Sequence, residues 1–217
     1  MAIQHKDIAA IREDYTLSNL AEQEVSPDPL RQFLQWFEEA LHSKVTEPNA
    51  MVLSTINELG FPSSRVVLLK DIKQDGLSFF SNYESQKAKD IGNHNAVSLL
   101  FFWPELQRQV RIMGKAEKLN SVDSDEYFAS RPRGSQIGAW SSPQSQIIPS
   151  REFLEVEVEK TTARFGENTS ISRPDFWGGY LVRPTYFEFW QGRASRLHDR
   201  IAYQQENEIW TITRLAP

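Results

Sequence analysis

The residues best suited to chemistry lie near the end of the sequence, in EFWQG at 188–192 and in RLHDR at 196–200. If the second segment is an extended strand, side-chain alternation places Arg196, His198 and Arg200 on one face. Two cations beside an imidazole, shortly after a tryptophan, suit an anionic planar aromatic ligand that undergoes proton or hydride chemistry. The alternative is a solvent-exposed edge strand whose charges discourage aggregation, and the spacing alone favours neither.

A second group of candidate residues follows a predicted strand and opens a predicted helix. Ser81 and Lys87 bracket a stretch whose hydroxyls, free backbone N–H groups and ammonium could hold a phosphate. An ordinary helix N-cap by Ser85 or Asn82 explains the same residues, and taken alone it is favoured.

A third group could bind another phosphate. Tyr127 and Arg131 are four residues apart and therefore share a helix face, and Ser135 follows a break where a short helix could begin. A surface helix that ends in arginine is the commoner explanation of such residues. Gln144 and Ser145 add amide and hydroxyl donors in a loop, a pattern of low specificity.

The segment RVVLLK places Arg65 and Lys70 at the two ends of an apolar run. A buried strand with solvent-exposed charged ends explains it. In a regular strand the two cations point to opposite faces, so one pocket can use both only if it wraps around the strand end. Taken together, the candidates describe two phosphate-binding clusters, aromatic walls and one histidine, which fits a phosphorylated cofactor and a phosphorylated substrate in one cleft.

Composition excludes several classes of protein. The chain has 217 residues, a net charge of −5 and no cysteine, so thiolate catalysis and cysteine-based metal sites are excluded. No basic cluster indicates a nucleic-acid partner, and the four histidines show no metal-ligand spacing. Without a signal-peptide pattern or an apolar run of membrane-spanning length, we expect a soluble cytoplasmic protein with no membrane partner.

Hydrophobic periodicity predicts the helices and strands that position these residues. An amphipathic helix is predicted over residues 28–43, and further helices over 85–94, 122–131 and 150–165. Strands are predicted over 51–56, 65–72, 76–81, 96–103, 107–119, 177–182, 185–191, 195–204 and 208–214. Short strands joined by hairpin-like turns favour an antiparallel barrel over a βαβ sheet, and no dinucleotide or P-loop motif is present. We predict an N-terminal arm over residues 1–25 and a single domain over 26–217.

The order and spacing of several motifs closely resemble the pyridoxamine 5′-phosphate oxidase family, from about Arg12 to Pro217. The segments that carry the resemblance are RVVLLK, FFSNYESQKA, the Gln109 strand, YFASRPRGSQIGAW, PQSQ, FWGGY, EFWQG and RLHDR. The resemblance implies a mainly β fold with peripheral α-helices, an FMN-binding split β-barrel that is antiparallel and Greek-key-like. It also implies a homodimer that holds FMN at the subunit interface.

The reaction implied by the resemblance is the oxidation of pyridoxamine 5′-phosphate or pyridoxine 5′-phosphate to pyridoxal 5′-phosphate, in vitamin B6 biosynthesis and salvage. A hydride would pass from substrate C4′ to flavin N5, and oxygen would reoxidise the flavin to give hydrogen peroxide, with ammonia released from the amine substrate. Other members of the flavin-binding split-barrel class, or a non-catalytic flavin-binding protein, are the alternatives.

The motifs shared with the family also imply which residues of this chain contact the ligands. The resemblance implies that FMN contacts Arg65, Val66, Val67, Leu68, Leu69, Lys70, Phe80, Ser81, Gln86, Lys87, Gln109, Gln144, Ser145, Trp190 and Arg200. It implies that the substrate contacts Lys70, Tyr127, Arg131, Ser135, Arg196, Leu197 and His198, together with a mobile closing segment at Arg12, Glu13, Asp14 and Tyr15. Arg196 and His198 are the predicted catalytic residues, which would orient the substrate ring, with Arg196 the stronger candidate.

One position departs from the family pattern. Gln86 stands where the family usually carries arginine, next to Lys87. Replacing a charge-assisted hydrogen bond by a neutral one weakens binding by about 1 kcal/mol. We therefore predict looser FMN retention, without loss of function.

Overall fold

The computed structural model describes Ile11 and residues 14–217. The described helices are α1 (Pro29–His42), α2 (Gln86–Asn93), α3 (Ser121–Ser130), α4 (Arg133–Ser141) and α5 (Arg151–Phe165). The described strands are β1 (Ala50–Ile56), β2 (Pro62–Leu68), β3 (Asp71–Lys73), β4 (Gly76–Asn82), β5 (Ala96–Trp103), β6 (Arg108–Lys118), β7 (Trp177–Gln191), β8 (Asp199–Glu206) and β9 (Ile209–Arg214). None of these helices is long and apolar enough to cross a membrane.

The strands form one sheet in the order β2-β1-β5-β6-β7-β4-β3, with β8 paired to β7 and β9 paired to β8. Antiparallel pairing joins β1 to β2, β3 to β4, β4 to β7, β7 to β8 and β8 to β9. The long strand β7 pairs with β4 from Trp177 to Val182 and with β8 from Tyr186 to Gln191. This pairing agrees with the predicted antiparallel architecture.

The chain has two compact units, each with aromatic packing of its own. Unit 1 comprises Met1–Pro48, Leu100–Ile112 and Tyr186–Pro217, and unit 2 comprises Asn49–Leu99 and Met113–Thr185. In unit 1, Phe33 packs on Phe101 with ring centroids 5.0 Å apart. In unit 2, the buried side chains of Phe128, Ile137, Ile171 and Trp177 form a cluster. The arm at 1–25 and the single domain at 26–217 stay predictions.

Helix α1 confirms the prediction for residues 28–43. Asp28 is its N-cap, and the carboxylate accepts a hydrogen bond from the backbone N–H of Leu30 at 2.9 Å. Pro29 occupies the first turn, where its missing N–H costs nothing. The buried face of the helix carries Phe33 and Trp36, and this burial is the main source of its stability.

Two strand predictions were wrong in extent. The strand predicted over 65–72 is interrupted, because the chain turns after Leu68 and Lys70 N–H bonds to the carbonyl of Ser78. The strands predicted over 177–182 and 185–191 are one strand that runs through Pro184. Pro184 lies between the stretch of β7 that pairs with β4 and the stretch that pairs with β8, so neither ladder needs its missing N–H.

The strand predicted over 195–204 was wrong at its start, and this changes the interpretation of RLHDR. Strand β8 begins at Asp199, while Ser195 and Arg196 have φ of 56° and 62° in a short 3₁₀ turn. A left-handed backbone cannot continue a strand ladder. The predicted common face of Arg196, His198 and Arg200 is therefore wrong, since Arg200 alone of the three lies in the strand.

Candidate cofactor and substrate site

A cavity of about 610 Å³ lies within unit 2. Most of the unit 2 residues that were predicted to contact the cofactor or the substrate line its wall. Strands β2 and β4, helix α2, helices α3 and α4 and the loop after α4 contribute to its wall. The predicted residues that line it are Val66, Val67, Leu68, Lys70, Phe80, Ser81, Lys87, Tyr127, Arg131, Ser135 and Gln144. Residues proposed for the cofactor and residues proposed for the substrate phosphate thus share one cavity.

Lys87 is a buried cation on the wall of this cavity, with 9 % of its surface exposed. Its ammonium donates to Ser81 Oγ at 3.0 Å, Ser85 Oγ at 3.1 Å and Gln144 Oε1 at 3.1 Å. All three acceptors are neutral, and within the described residues no carboxylate pairs with this ammonium. Burial, with a smaller contribution from the Arg65 charge, lowers the pKa of Lys87 to about 8.

Ser85 does not act as the side-chain cap that the N-cap interpretation requires. It occupies the N-cap position of α2, yet its hydroxyl makes no capping bond to the helix. Instead the hydroxyl donates to the carbonyl of Asn82 at 2.7 Å and accepts from the Lys87 ammonium. The N-cap interpretation of this segment is therefore wrong for Ser85, and its hydroxyl helps to position Lys87.

Arg131 is a second cation on the same wall, and aromatic rings hold it. Its guanidinium carbon lies 4.6 Å from the centroid of the Trp177 ring. One of its terminal nitrogens, Nη1, is buried and has no hydrogen-bond partner among the residues that the structure describes. Burial lowers the pKa of Arg131. A buried donor without an acceptor is costly, so this nitrogen fits an anionic oxygen of a ligand.

The wall behind Arg131 is a stack of three nearly parallel rings. The Phe80 and Tyr127 rings lie 3.9 Å apart at 18°, and the Phe80 and Trp177 rings lie 5.5 Å apart at 13°. Trp177 was missed by sequence reasoning, although FWGGY was recognised as a motif. Gly178 follows it, and a Cβ at that glycine would collide with the Tyr83 ring. The close approach requires glycine there.

Four residues predicted to contact FMN lie in unit 2 but do not line this cavity: Arg65, Leu69, Gln86 and Ser145. The Arg65 guanidinium donates to Thr55 Oγ1 at 2.8 Å and to Ser63 Oγ at 2.7 Å. It also lies 3.7 Å from the carboxylate of Asp90, which accepts from the Gln86 amide at 2.8 Å. Arg65 and Gln86 therefore meet at a buried carboxylate, and their predicted contact with FMN stays a prediction.

A second cavity, of about 500 Å³, lies within unit 1 and is lined by Ile11, Asp14, Tyr15, Arg193, Ser195, Arg196 and His198. The His198 ring lies 4.5 Å from the Trp190 ring, and the Tyr15 ring meets Trp190 edge-on at 5.8 Å. A Cβ at Gly192 would lie 2.6 Å from the Tyr15 ring, so glycine is needed where this ring packs. Arg12 and Glu13 lie outside the described residues.

Arg200 is held by a buried carboxylate in unit 1. Its Nε and Nη2 each lie 2.9 Å from Oε1 of Glu188, which is 2 % exposed. The other carboxylate oxygen accepts from Arg111 at 3.0 Å and from the Tyr186 hydroxyl at 3.0 Å. Sequence reasoning missed Arg111 and Glu188. Both are charged residues inside predicted strands, and this was the available signal, but it also fits solvent-exposed positions.

The predicted residues therefore fall into two groups. Unit 1 carries Gln109, Trp190, Arg200, Arg196, Leu197, His198, Asp14 and Tyr15, and unit 2 carries the others that the structure describes. Gln109 is half-buried on β6, and Leu197 is exposed. Among the described residues no cluster of His, Asp and Glu could hold a metal ion.

The sheet is antiparallel, and one cavity in unit 2 contains the buried cation Lys87 and the half-buried cation Arg131, neither of which has an anionic partner among the described residues. Solved structures show the same fold. PhzG from Burkholderia lata, solved with tetrahydrophenazine-1-carboxylic acid, is 27 % identical at a TM-score of 0.86, covering 93 % of this chain and 99 % of that one. An FMN-binding protein from Nostoc punctiforme, 17 % identical, has a TM-score of 0.70 with 89 % and 100 % covered.

Sequence comparison identifies the family. The pyridoxamine 5′-phosphate oxidase family model matches residues 37–165, and the pyridoxine 5′-phosphate oxidase C-terminal dimerisation region matches residues 177–217. The pyridoxine/pyridoxamine 5′-phosphate oxidase of Polynucleobacter asymbioticus is 52 % identical, with 97 % of this chain and 99 % of that protein covered. Its counterpart from Rippkaea orientalis is 51 % identical, with 97 % and 100 % covered.

The chain belongs to the pyridoxine/pyridoxamine 5′-phosphate oxidase family. The predicted family, the split-barrel fold, the FMN-dependent oxidase class and FMN as cofactor are confirmed. The match to the dimerisation region supports the predicted homodimer.

Proposed function

We propose that this protein oxidises pyridoxamine 5′-phosphate or pyridoxine 5′-phosphate to pyridoxal 5′-phosphate in the cytoplasm, with FMN as cofactor and oxygen as final acceptor. The observation that carries the proposal is a pair of cations, the buried Lys87 and the half-buried Arg131 with its buried Nη1. They line one cavity, and neither forms an ion pair within the described residues. Two separate anion sites in one cavity match two phosphorylated ligands.

Lys87, with Ser81 and Gln144 beside it, would hold the FMN phosphate. The fit rests on an ammonium that is desolvated yet surrounded only by neutral oxygens. When bound, FMN supplies the acceptor for the hydride that leaves substrate C4′, and oxygen then takes the electrons to form hydrogen peroxide. Gln109, Trp190 and Arg200 are the unit 1 residues proposed to contact the cofactor.

Arg131, with Tyr127, Ser135 and Lys70, would bind the substrate phosphate. The unpaired Nη1 of Arg131 supplies a donor that is already desolvated. The stack of Tyr127 on Phe80 fixes the direction of the phenol. A phosphate held away from the reacting carbon provides binding energy that aligns this carbon.

Arg196 and His198 would orient the pyridine ring, with Leu197 beside them and the segment containing Asp14 and Tyr15 closing over the ligand. Tyr15 already packs on Trp190 and Gly192, which supports a closing role for this segment. We keep FMN at the subunit interface of the homodimer as part of the proposal, because composite sites gather residues from both protomers.

Oxygen consumption and peroxide release, measured on FMN-loaded protein with pyridoxamine 5′-phosphate, test the proposal. Unphosphorylated pyridoxamine should react far more poorly, because Arg131 then gains no anion. The variant Arg131→Met should raise KM for the phosphorylated substrate by about tenfold or more. A matched control is Arg151→Met, which removes an arginine whose side chain is 77 % exposed.

The outcomes separate the alternatives. Yellow protein that consumes no oxygen with either B6 phosphate would indicate a non-catalytic flavin-binding protein. Turnover of a different reduced substrate only would indicate another split-barrel oxidoreductase. The tetrahydrophenazine-1-carboxylic acid bound in PhzG makes that class of compound the comparison substrate, but 27 % identity against 52 % favours the B6 phosphates.

A further inference from the structure

One face of the sheet in unit 1 carries a group of polar side chains around a buried carboxylate. Trp190 and Arg200 stand directly opposite each other in the ladder between β7 and β8, and Glu188 lies two residues before Trp190, so the three share this face. Gln109 and Arg111 share a face of β6, and the Arg111 guanidinium donates to Glu188 at 3.0 Å. Glu188 therefore lies among the proposed cofactor contacts of unit 1, which are Gln109, Trp190 and Arg200.

The two oxygens of Glu188 have different partners. Oε1 lies 2.9 Å from both Nε and Nη2 of Arg200, whereas Oε2 accepts from Arg111 and from the Tyr186 hydroxyl, each at 3.0 Å. Glu188 is 2 % exposed, while 25 % of the Arg200 side chain and 42 % of the Arg111 side chain are exposed. The carboxylate lies behind both guanidinium groups and is not placed to contact a ligand itself.

The contacts of Arg200 fix the direction of its guanidinium group. Glu188 takes the edge formed by Nε and Nη2, and Nη1 donates to the carbonyl of Ala216 at 2.7 Å. A guanidinium is planar and has a single N–H on Nε but two on each terminal nitrogen. Anchoring Nε therefore sets the plane of the group, and these contacts leave one N–H on each terminal nitrogen for solvent or a ligand.

Folding stability alone does not explain a buried carboxylate between two arginines. The cost of desolvating the charges offsets much of their attraction, so apolar residues of similar volume are often equally stabilising. Such a pair does restrict the guanidinium to one orientation. A ligand that meets an arginine already held in place does not have to immobilise that side chain, so it binds more tightly.

We propose that Glu188 is a positioning residue of the cofactor site and acts through Arg200. It holds the Arg200 guanidinium on the same strand face as Trp190 before FMN binds, so binding does not have to order this side chain. The inference rests on the proposed function for the contact between Arg200 and FMN. The charge of Glu188 by itself repels the anionic cofactor, so a positioning role and a purely electrostatic role predict opposite effects on affinity.

The variant Glu188→Gln tests the sign, because glutamine has nearly the same size and no charge. Without the anchoring carboxylate, the dissociation constant of FMN from the apoprotein should rise about 3- to 10-fold, measured by quenching of FMN fluorescence. A purely electrostatic role predicts that it falls, because this face of the sheet becomes more positive. A dissociation constant equal to or below that of the parent would overturn the proposal.

Double-mutant cycles separate positioning of Arg200 from general damage to the fold. In an Arg200→Met background, Glu188→Gln should no longer weaken FMN binding. In an Arg111→Met background, which removes the partner of the other carboxylate oxygen, it should keep its full effect. A loss in the parent that exceeds the loss in Arg200→Met by about threefold or more supports the proposal. A smaller difference, or an equal loss in all three backgrounds, overturns it.

The variant Glu188→Asp provides a second test if melting temperatures show that the Gln variant does not fold. It keeps the charge but withdraws the carboxylate from Arg200 by one methylene, so FMN binding should weaken in the same Arg200-dependent way. Affinity equal to the parent would mean that charge alone suffices, which refutes positioning. If Arg200→Met binds FMN as tightly as the parent, the proposed cofactor contact of Arg200 fails. If Arg200→Met weakens binding and neither Glu188 variant does, that contact stands and only the role of Glu188 fails.

Discussion

The buried ammonium of Lys87 predicts that pH acts in opposite directions on apoprotein stability and on FMN affinity. Its pKa falls from 10.5 to about 8 in the folded chain, mainly through burial. At about 1.4 kcal/mol per unit, burial disfavours the charged form by about 3 kcal/mol. The perturbation is Lys87→Met, which keeps the length of the side chain and removes the charge.

Proton linkage gives the direction in which the stability of the apoprotein changes with pH. Between the folded pKa of about 8 and the unfolded value of 10.5, the unfolded chain binds more protons than the folded one. Stability contributed by Lys87 therefore rises with pH across this window, by about 2 kcal/mol between pH 7.5 and 9.5. The free energy of unfolding of the parent should gain this amount relative to that of the Met variant.

The sign for FMN binding is opposite, because the phosphate binds the protonated ammonium. The dissociation constant should be nearly flat below pH 8 and then rise, by about 25-fold between pH 7.5 and 9.5. In Lys87→Met the affinity at pH 7.5 should fall by about 10- to 100-fold, the worth of a charged hydrogen bond, and lose this pH dependence.

Quenching of FMN fluorescence at constant ionic strength measures the affinity, and urea unfolding of the apoprotein measures the stability. Lys89→Met is the matched control, since Lys89 lies on the same helix and is exposed. It should follow the parent in both measurements. A parent dissociation constant that stays flat to pH 9.5, or one that rises equally in Lys87→Met, would refute Lys87 as the ligand of the phosphate.

Three further substitutions give single expected outcomes. Gln86→Arg should tighten FMN binding by about fivefold, about 1 kcal/mol, in equilibrium dialysis, and equal constants would defeat the idea of looser retention. Trp177→Leu removes the ring beneath Arg131 and should raise KM for the phosphorylated substrate severalfold with kcat little changed. A loss confined to kcat would argue against the support of Arg131 by the Trp177 ring. Arg196→Leu should lower kcat far more than FMN affinity, and unchanged turnover would remove Arg196 from the mechanism.

Sequence periodicity was sufficient where local chemistry decides the structure. The Asp28-Pro29 start of α1 and the strand over 96–103 are set by residues that stand next to each other in the chain. The cavity in unit 2 was predictable as a set of phosphate-binding residue types, because hydroxyls and cations at strand ends and helix starts carry that signal. The sequence pattern could not predict which of these side chains face the cavity.

The failures have physical reasons. RLHDR alternates like a strand, but Ser195 and Arg196 adopt left-handed conformations that non-glycine residues rarely take, so no propensity signals them. Arg65 and Gln86 meet at Asp90, a contact between a strand and a helix that lies beyond the reach of local pattern. Trp177 reads as an ordinary core aromatic, and its position behind Arg131 follows only from tertiary packing.

Among the described residues, a charged group that has partners of opposite charge can be distinguished from one that has none and is therefore proposed to bind a ligand. Glu188 is buried, and two arginines and a phenol satisfy its oxygens, so it leaves no demand for a ligand. Lys87 is also buried, and Arg131 is half-buried with its Nη1 out of contact with solvent, yet their described surroundings are hydroxyl, amide and aromatic groups. A buried cation without an anion destabilises the apoprotein, and a sequence selected for stability alone would replace it by an apolar residue. The presence of Lys87 and of the Arg131 Nη1 in one cavity is explained if bound phosphates neutralise them, which makes folding stability and ligand affinity two readouts of the same charges.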